Sequence, residues 1–260
     1  MADVYLIGDP VAHSLSPEMQ NAAFAAMGLP HRYSLMPVRD AQLAEAVRLI
    51  REPSSLGANV TIPHKERIAR LLDGVDETAQ RIGAVNTLFK RGSELRGDNT
   101  DAGGFGDALA EKGVEVRGRR VLLLGAGGAA KACVHALVLG GARVVISNRT
   151  PGRAPVHTSE GTLPWPVRSV AGHDVVVNTT SLGMHGEDPL EGVDLPSTLK
   201  VVDIVATAEA TPLIRRAKAS GCITVDGLLM LLHQGARAFR LWTGVDAPVP
   251  AMRAALPREV

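Results

Sequence analysis

Residues 121–130 read VLLLGAGGAA, and the order of their parts decides the fold. An aliphatic run makes a short strand. Gly125, Ala126, Gly127 and Gly128 make a turn, and Ala129 and Ala130 open a helix that continues through KACVHALVLGG. The G-x-G-x-x-A pattern is informative in this strand–turn–helix setting, because each small residue has its own task. Gly125 permits the tight turn, Gly127 lets a pyrophosphate approach the backbone, and Ala130 keeps the helix close to the sheet. Free N–H groups and the helix dipole then favour phosphate charge. A glycine-rich turn without ligand is the competing reading.

The next strand, VVISN at 144–148, bears on the choice of dinucleotide. An NAD site usually carries an acid about 20 residues past the first glycine. Here the strand runs into Asn148-Arg149-Thr150, and no acid occurs between Gly141 and Ser159. Arg149 and Arg153 stand where that acid would meet the ribose. Guanidinium groups suit a 2′-phosphate through paired, charge-assisted hydrogen bonds, so the expected cofactor is NADP. Two solvated loop arginines are the plainer alternative.

Outward from this segment, apolar stretches alternate with helical patterns. VYLIG at 4–8, YSLMPV at 33–38 and ANVT at 58–61 read as strands, with helices over 17–28 and 41–51. AVNTLFKRGSELRG at 84–97 predicts two strands around a polar turn at Arg91–Ser93. DVVVNTT at 174–180, VVDIV at 201–205 and CITVDG at 222–227 are further strands. A long amphipathic helix follows, with Leu228, Leu231, Leu232, Ala236, Phe239 and Leu241 as its buried side. The segment 151–173, rich in Pro, Gly and Ser, reads as loop with one short strand at most. The βα rhythm predicts an α/β protein with mostly parallel sheets covered on both faces. A break near 98–103 predicts two domains with a cleft between them. They are an N-terminal α/β domain and a doubly wound, Rossmann-type dinucleotide-binding domain, with the C-terminal helices returning to the first.

Bulk properties exclude several classes. Hydrophobic residues at 45% and charged residues at 21% are ordinary for a globular chain, and the net charge of +1 comes from interspersed charges. No basic tract offers nucleic acid a footprint, and 3% aromatics leave little for base stacking. No stretch reaches the ~18 apolar residues of a membrane span, and the N-terminus lacks the features of a signal peptide. A cytoplasmic protein is expected. Two lone cysteines, Cys133 and Cys222, fit a reducing compartment as packing residues, and the histidines show no metal-ligand spacing, so no metal is expected.

Three segments carry candidate chemistry. In GDPVAHSLSP at 8–17, Ser16 before Pro17 reads as a helix N-cap, with proline at the first helical position. Capping leaves Ser14 unexplained, and two hydroxyls at a helix mouth suit an anion such as a carboxylate. In NVTIPHK at 59–65, Pro63 predicts the first turn of a helix with Lys65 in or beside it. A cation there opposes the macrodipole by ~0.3–1 kcal/mol, whereas a surface lysine is the ordinary alternative. GDNTDAGG at 97–104 puts Asp101 at another helix start, where N-capping competes with a chemical role. His13 and His64 flank these residues without an assigned proton-transfer role.

GDPVAHSLSP, NVTIPHK, GAVNT at 83–87, GDNTDAGG, LLGAGGAAKA, NRT, NTTSLGM at 178–184, TPL at 211–213 and DGLLMLLHQ at 226–234 occur in one order. That order resembles the shikimate dehydrogenase family over nearly the whole chain. The resemblance implies NADP-dependent, reversible reduction of 3-dehydroshikimate to shikimate, with quinate as the competing substrate. It implies a substrate-binding and catalytic domain at 1–101 plus 228–260 and an NADP-binding domain at 102–227. Residue by residue, Lys65 and Asp101 match the catalytic pair, with the lysine as proton donor and acceptor. Ser14 and Ser16 match the carboxylate-holding hydroxyls. Thr61, Asn86 and Gln234 match residues at the ring hydroxyls, with Asn59 nearby. Gly125, Ala126, Gly127, Gly128 and Ala129 match the pyrophosphate loop. Asn148, Arg149, Thr150 and Arg153 match the 2′-phosphate loop, and Ile204 and Gly227 match backbone contacts near the nicotinamide. Glu77 matches a position sometimes found beside the cofactor.

The sequence departs from the family in three places. Ala206 stands where a tyrosine usually serves the substrate pocket, and Leu229 replaces a glycine near the expected nicotinamide. The segment between Arg153 and Asp174 is short. A non-catalytic sensor binding ligand and dinucleotide is the alternative of another class, and an intact Lys65 and Asp101 argue against it. A monomer or homodimer is expected, with small molecules as its only partners.

Overall fold

The computed structural model describes residues 2–150, 160–167 and 169–257. It divides into two compact units, Met1–Asp101 with Leu232–Arg258, and Ala102–Leu231.

In the first unit the order is β1 (Asp3–Gly8), α1 (Ser16–Ala26), β2 (Arg32–Pro37), α2 (Leu43–Arg51), β3 (Ser55–Val60), β4 (Gly74–Val75), α3 (Glu77–Ile82), β5 (Thr87–Arg91) and β6 (Glu94–Asp98). Its sheet runs β2-β1-β3-β5-β6-β4. The β1 strand pairs in parallel with β2 and β3. The β3–β5 and β5–β6 pairs are antiparallel, so the sheet is mixed. The hairpin between β5 and β6 turns at Gly92, whose φ of +63° suits glycine. Helix α2 shows why its segment is helical. Leu43, Ala46, Val47 and Ile50 are buried at helical spacing and pack with Ile7, Val60, Leu88 and Leu95. Helix α4 (Thr100–Glu111) then begins at the junction between the units.

The second unit contains β7 (Arg120–Leu124), α5 (Gly128–Leu139), β8 (Arg143–Ser147), β9 (Thr162–Leu163), β10 (Val175–Asn178), β11 (Lys200–Asp203), α6 (Pro212–Ala219) and β12 (Ile223–Val225). All its strands are parallel, in the order β12-β11-β10-β7-β8-β9. Counted within the unit this is the doubly wound dinucleotide-binding order, which reverses between β7 and β10. Val121, Leu123, Val175 and Val177 join one apolar cluster, while Leu122, Leu124 and Val176 join another. Alternate residues therefore bury both faces, and that is why these strands read as unbroken aliphatic runs.

Helix α7 (Gly227–Thr243) begins in the second unit and ends in the first, followed by α8 (Val249–Ala254). The division falls within α7, because Leu229 and Met230 belong to the second unit's core. Farther along, Phe239 packs on Phe24 with ring centroids 5.2 Å apart, and Trp242 Nε1 donates to the Leu88 carbonyl at 2.9 Å. Leu228, Leu232, Ala238, Phe239 and Trp242 form the buried side, whereas Leu231, Ala236 and Leu241, expected in that stripe, are only half-buried. Gly235 is the contact point with α1, since a Cβ there would lie 2.3 Å from Met19 Cε.

Candidate active site

The chain leaves β3 at Thr61, whose N–H donates to the Ile7 carbonyl at 2.8 Å. This close approach uses the missing side chain of Gly8, where a Cβ would come within 2.3 Å of Thr61 Cγ2. Residues 62–67 then form turns, followed by a 3-10 segment at Ile68–Leu71. The helix expected from Pro63 does not form, so no helix dipole opposes the Lys65 cation. The turn is held otherwise. His64 N–H donates to the Thr61 carbonyl at 2.9 Å, and Val85 N–H donates to the Lys65 carbonyl at 2.7 Å. The His64 ring is fully buried, with Nε2 2.6 Å from the Val38 carbonyl, which identifies Nε2 as the protonated nitrogen.

From this turn Lys65 Nζ donates to Asp101 Oδ2 at 2.7 Å, with side chains 14% and 6% exposed. Asp101 is the second residue of α4, and its carboxylate receives the lysine instead of capping the helix. Its other oxygen accepts from Asn86 Nδ2 at 2.7 Å. Asn86 is a buried junction. Its Oδ1 accepts from the Thr100 N–H at 2.7 Å and the Thr87 hydroxyl at 2.9 Å. Its Nδ2 also reaches Thr100 Oγ1 at 3.0 Å and Gln234 Oε1 at 3.4 Å.

Ser16 is not a helix cap either. It is the first residue of α1, and Leu15 occupies the cap position without a side-chain bond. Ser14 Oγ accepts from the Ser16 N–H at 3.2 Å and donates to Ser16 Oγ at 3.1 Å. Tyr33 donates to Asn59 Oδ1 at 2.9 Å, and Asn59 Nδ2 donates to Thr87 Oγ1 at 3.1 Å and the Asn86 carbonyl at 3.2 Å. Burial drives the Tyr33 phenol far above its ordinary pKa, so it stays a donor at every working pH. The structure thus brings Asn59, Asn86, Gln234, Asp101 and Lys65 into one bonded series, with Thr61 beginning the turn that carries Lys65, while Ser14 and Ser16 bond to each other. Tyr33, Thr87 and Thr100 complete the series, and sequence reasoning assigned them no role. A lone tyrosine in an apolar strand carries no motif. Thr87 and Thr100 lie within GAVNT and GDNTDAGG, a signal that could have found them.

The second unit has its own polar assembly. Gly125 has φ +110°, and a Cβ on it would lie 2.7 Å from Thr179 Oγ1. Gly127 has open space before it, since a Cβ there would meet no described atom within 4 Å. The first intrahelical bond of α5 runs from the Lys131 N–H to the Gly127 carbonyl, so Gly128, Ala129 and Ala130 present N–H groups that the helix does not use. Glycine at 125 and 127 and these donors fit a diphosphate at the carboxyl end of β7, beside the point where strand order reverses. Asn148 Nδ2 donates to the Thr150 carbonyl at 2.8 Å, folding the turn after β8, and Arg149 is exposed on it. Arg153 lies outside the described residues.

Ile204 is half-buried at the end of β11, and Gly227 is buried. A Cβ on Gly227 would lie 2.3 Å from the Val205 carbonyl carbon and 2.6 Å from the Ala206 nitrogen, so only glycine fits. Leu229 packs into the core with Val202 and Val225. Glu77 starts α3 in the first unit, where its carboxylate pairs with Arg81.

One buried cluster joins residues of NTTSLGM and TPL to Asp203, which no motif singled out. Asp203 Oδ1 accepts from Asn178 Nδ2 at 2.8 Å and the Val205 N–H at 3.1 Å, and Oδ2 accepts from the Thr211 hydroxyl at 2.7 Å. Burial pushes its carboxyl up to about 6, against the opposing pull of these donors. Asn178 Oδ1 also accepts from the Thr180 hydroxyl at 2.7 Å, so the carboxyl ends of β10 and β11 are tied to the loops that follow them.

A reversed-order parallel sheet with an open glycine turn, and a buried lysine–aspartate pair in a separate mixed-sheet unit, define a dinucleotide-dependent oxidoreductase. Known proteins narrow this class. The family model of the shikimate dehydrogenase substrate binding domain matches residues 6–88, and that of the shikimate 5'-dehydrogenase C-terminal domain matches 227–256. The NADP(+) shikimate dehydrogenase of Symbiobacterium thermophilum is 45% identical, over 96% of this chain and 92% of its own. The Thermus thermophilus shikimate 5-dehydrogenase, solved with NADP(H) and shikimate, superposes with a TM-score of 0.88 at 38% identity, covering 98% of each chain. The Corynebacterium glutamicum quinate dehydrogenase, solved with NAD, gives 0.87 at 30% identity, also covering 98% of each. The chain belongs to the shikimate dehydrogenase family.

Proposed function

We propose that the chain reduces 3-dehydroshikimate to shikimate, reversibly and with NADP, and that the Lys65–Asp101 contact at 2.7 Å is the observation carrying this reading. Bound NADPH supplies a hydride to the carbonyl carbon. Negative charge then grows on the carbonyl oxygen, which needs a donor in the transition state. Lys65 Nζ gives it a proton, and in the oxidising direction the same nitrogen receives the hydroxyl proton. Asp101 holds Nζ through Oδ2 and is itself held by Asn86 through Oδ1.

In this reading the first unit binds substrate and the second binds cofactor. Ser14 and Ser16 take the carboxylate, and Asn59, Thr61, Asn86 and Gln234 surround the ring hydroxyls. Gly125, Ala126, Gly127, Gly128 and Ala129 hold the diphosphate. Asn148, Arg149, Thr150 and Arg153 hold the 2′-phosphate, and Ile204 and Gly227 border the nicotinamide through backbone. Glu77, paired with Arg81, is the weakest member of the cofactor set. Cytoplasmic residence accords with two buried free cysteines. Among the described residues no helix is long and apolar enough to cross a membrane.

Quinate is the second reading, favoured by Ala206 in place of the family's pocket tyrosine. A lost hydroxyl contact is worth about 0.5–1.5 kcal/mol, enough to shift preference between close analogues. The test is NADPH consumption with 3-dehydroshikimate, then shikimate and quinate oxidation with NADP and NAD, for wild type and Lys65→Ala. Lys65→Ala is expected to lose at least ~100-fold in kcat with a smaller change in KM. An active Lys65→Ala protein removes the assignment, and a wild type that binds these molecules without turnover makes the chain a sensor.

A further inference from the structure

The Asp203 carboxylate orients backbone as well as closing the core of the second unit. It is fully buried, and its Oδ1 accepts from the Val205 N–H at 3.1 Å. That N–H shares one planar peptide unit with the Ile204 carbonyl, so holding one side sets the direction of the other. The Ile204 N–H donates to the Asn178 carbonyl at 3.1 Å, and Asn178 Nδ2 donates to the same Asp203 Oδ1 at 2.8 Å. Ile204 is thus fixed through the peptides on both its sides. The peptide after Val205 is fixed by packing. A Cβ on Gly227 would lie 2.3 Å from the Val205 carbonyl carbon, so the Val205–Ala206 peptide rests directly on that glycine. Gly227 is held in its turn at the start of α7, where Asp226 Oδ1 accepts from the Leu228 N–H at 3.1 Å and the Leu229 N–H at 3.3 Å. Ile204 and Gly227 therefore converge on one stretch of backbone, and Asp203 is the side chain that orients it.

Filling space does not explain a carboxylate here. Leucine has a similar shape, and burying an acid is costly unless its bonds serve a purpose. What leucine lacks is an acceptor for the Val205 N–H. Nicotinamide carries a carboxamide whose NH2 group needs a carbonyl acceptor, and a backbone carbonyl with its direction already set needs no ordering on binding. We infer, resting on the reading of Ile204 and Gly227 as the nicotinamide border, that Asp203 is a positioning residue. By holding the Val205 N–H it sets the direction of the Ile204 carbonyl that receives the carboxamide. The second carboxylate oxygen serves another element. Asp203 Oδ2 accepts from the Thr211 hydroxyl at 2.7 Å, and Thr211 caps α6 by accepting from the Ile214 N–H at 3.3 Å. The two oxygens can therefore be tested apart.

The experiment titrates the full chain calorimetrically with NADP+ and with 2′-phospho-ADP-ribose, which lacks the nicotinamide. It compares wild type, Asp203→Leu, Asp203→Asn and Thr211→Val. Asp203→Leu is expected to weaken NADP+ binding about tenfold and binding of the truncated nucleotide less than about twofold, as for one lost orienting contact at the nicotinamide. Asp203→Asn, whose oxygen still accepts from Val205, is expected to bind NADP+ within about threefold of wild type. Thr211→Val removes the Oδ2 partner and the α6 cap but leaves the Val205 bond, so it is expected to lower the urea midpoint and keep both affinities within about twofold. Equal weakening of both nucleotides by Asp203→Leu overturns the proposal, because loosened packing does not distinguish nicotinamide from diphosphate. A loss of NADP+ affinity in Thr211→Val as large as in Asp203→Leu overturns it too. If Asp203→Leu does not fold, Asp203→Ala, which leaves room for water, carries the same expectation. Failure of both where Asp203→Asn folds makes the role structural and ends the proposal. A wild type that binds both nucleotides equally sinks the nicotinamide reading and the proposal with it. A wild type that favours NADP+, with an indifferent Asp203→Leu, sinks only the proposal.

Discussion

Asp203 makes the second unit's stability depend on pH in a direction opposite to that of most carboxylates. Its side chain is fully buried, and burial raises its pKa from 3.8 to about 6. The native state therefore keeps the proton more tightly than the unfolded chain does. The stabilisation is complete below the unfolded pKa and is lost as pH rises through about 6. A rise of about two units at ~1.4 kcal/mol each corresponds to roughly 3 kcal/mol. Most of that, about 2–3 kcal/mol, disappears between roughly pH 4 and 7.

Asp203→Asn isolates the effect. The amide oxygen can still accept from Asn178 and Val205, while the new N–H group can donate to Thr211 Oγ1, so the variant stays neutral and keeps these contacts, with the Thr211 hydroxyl changing from donor to acceptor. Of the two tryptophans, Trp165 packs against a core cluster of the second unit and Trp242 lies in the first. Urea unfolding followed by Trp165 fluorescence, in a Trp242→Phe background, therefore reports the relevant unit. The unfolding free energy of the protein with Asp203 is expected to fall, relative to that with Asn, by about 2–3 kcal/mol from pH ~4 to ~7 and to level off above. A difference that stays flat across that range would refute the reasoning. A difference that grows in favour of Asp203 would mean that its donors outweigh burial.

Gly227→Ala should lower the Trp165 urea transition by at least ~2 kcal/mol, because the new Cβ meets backbone at 2.3 Å and backbone cannot rotate away; an unchanged midpoint would show that the loop at 205–206 yields freely. Arg149→Ala should raise KM for NADP about tenfold while changing that for NAD less than about twofold, since a guanidinium serves only the 2′-phosphate. Steady-state rates with both cofactors decide it, and equal changes would remove Arg149 from the 2′ site.

What can be read in the sequence follows from how local each signal is. The strand and turn at 121–128 declare themselves because aliphatic runs and glycine spacing are properties of neighbouring residues. The same holds for the β5–β6 hairpin, whose polar turn falls between strands at Thr87–Arg91 and Glu94–Asp98. Lys65 and Asp101 stand out through their motifs, yet a helix starting at Pro63 is not what places the lysine. NVTIPHK has proline and a charged residue in helix-start order, but its backbone is committed to bonds with Ile7, Thr61 and Val85. Ser16 misleads in the same way, since Ser-Pro before an apolar run is a local capping signal, whereas its hydroxyl accepts from Ser14. Tyr33 and Asp203 are invisible at that level because their meaning lies wholly in distant partners.

Asn86 shows why the site behaves as a unit. An amide offers two N–H groups and one oxygen with two lone pairs. The oxygen already accepts from the Thr100 N–H and the Thr87 hydroxyl, and one N–H is committed to Asp101 at 2.7 Å. The other is shared between Thr100 Oγ1 at 3.0 Å and Gln234 Oε1 at 3.4 Å. A ring hydroxyl seeking Asn86 must displace something, and the 3.4 Å link, at the outer limit of hydrogen-bond geometry, costs least to break. Breaking it lets Gln234 Oε1 accept from that same hydroxyl. Substrate would then replace the weakest bond of the network with two better ones and leave the short bond to Asp101 intact. Under the proposed function, Asn86 would thus keep the Asp101 carboxylate aimed at Lys65 while it binds the ring, so that binding costs that pair none of its orientation.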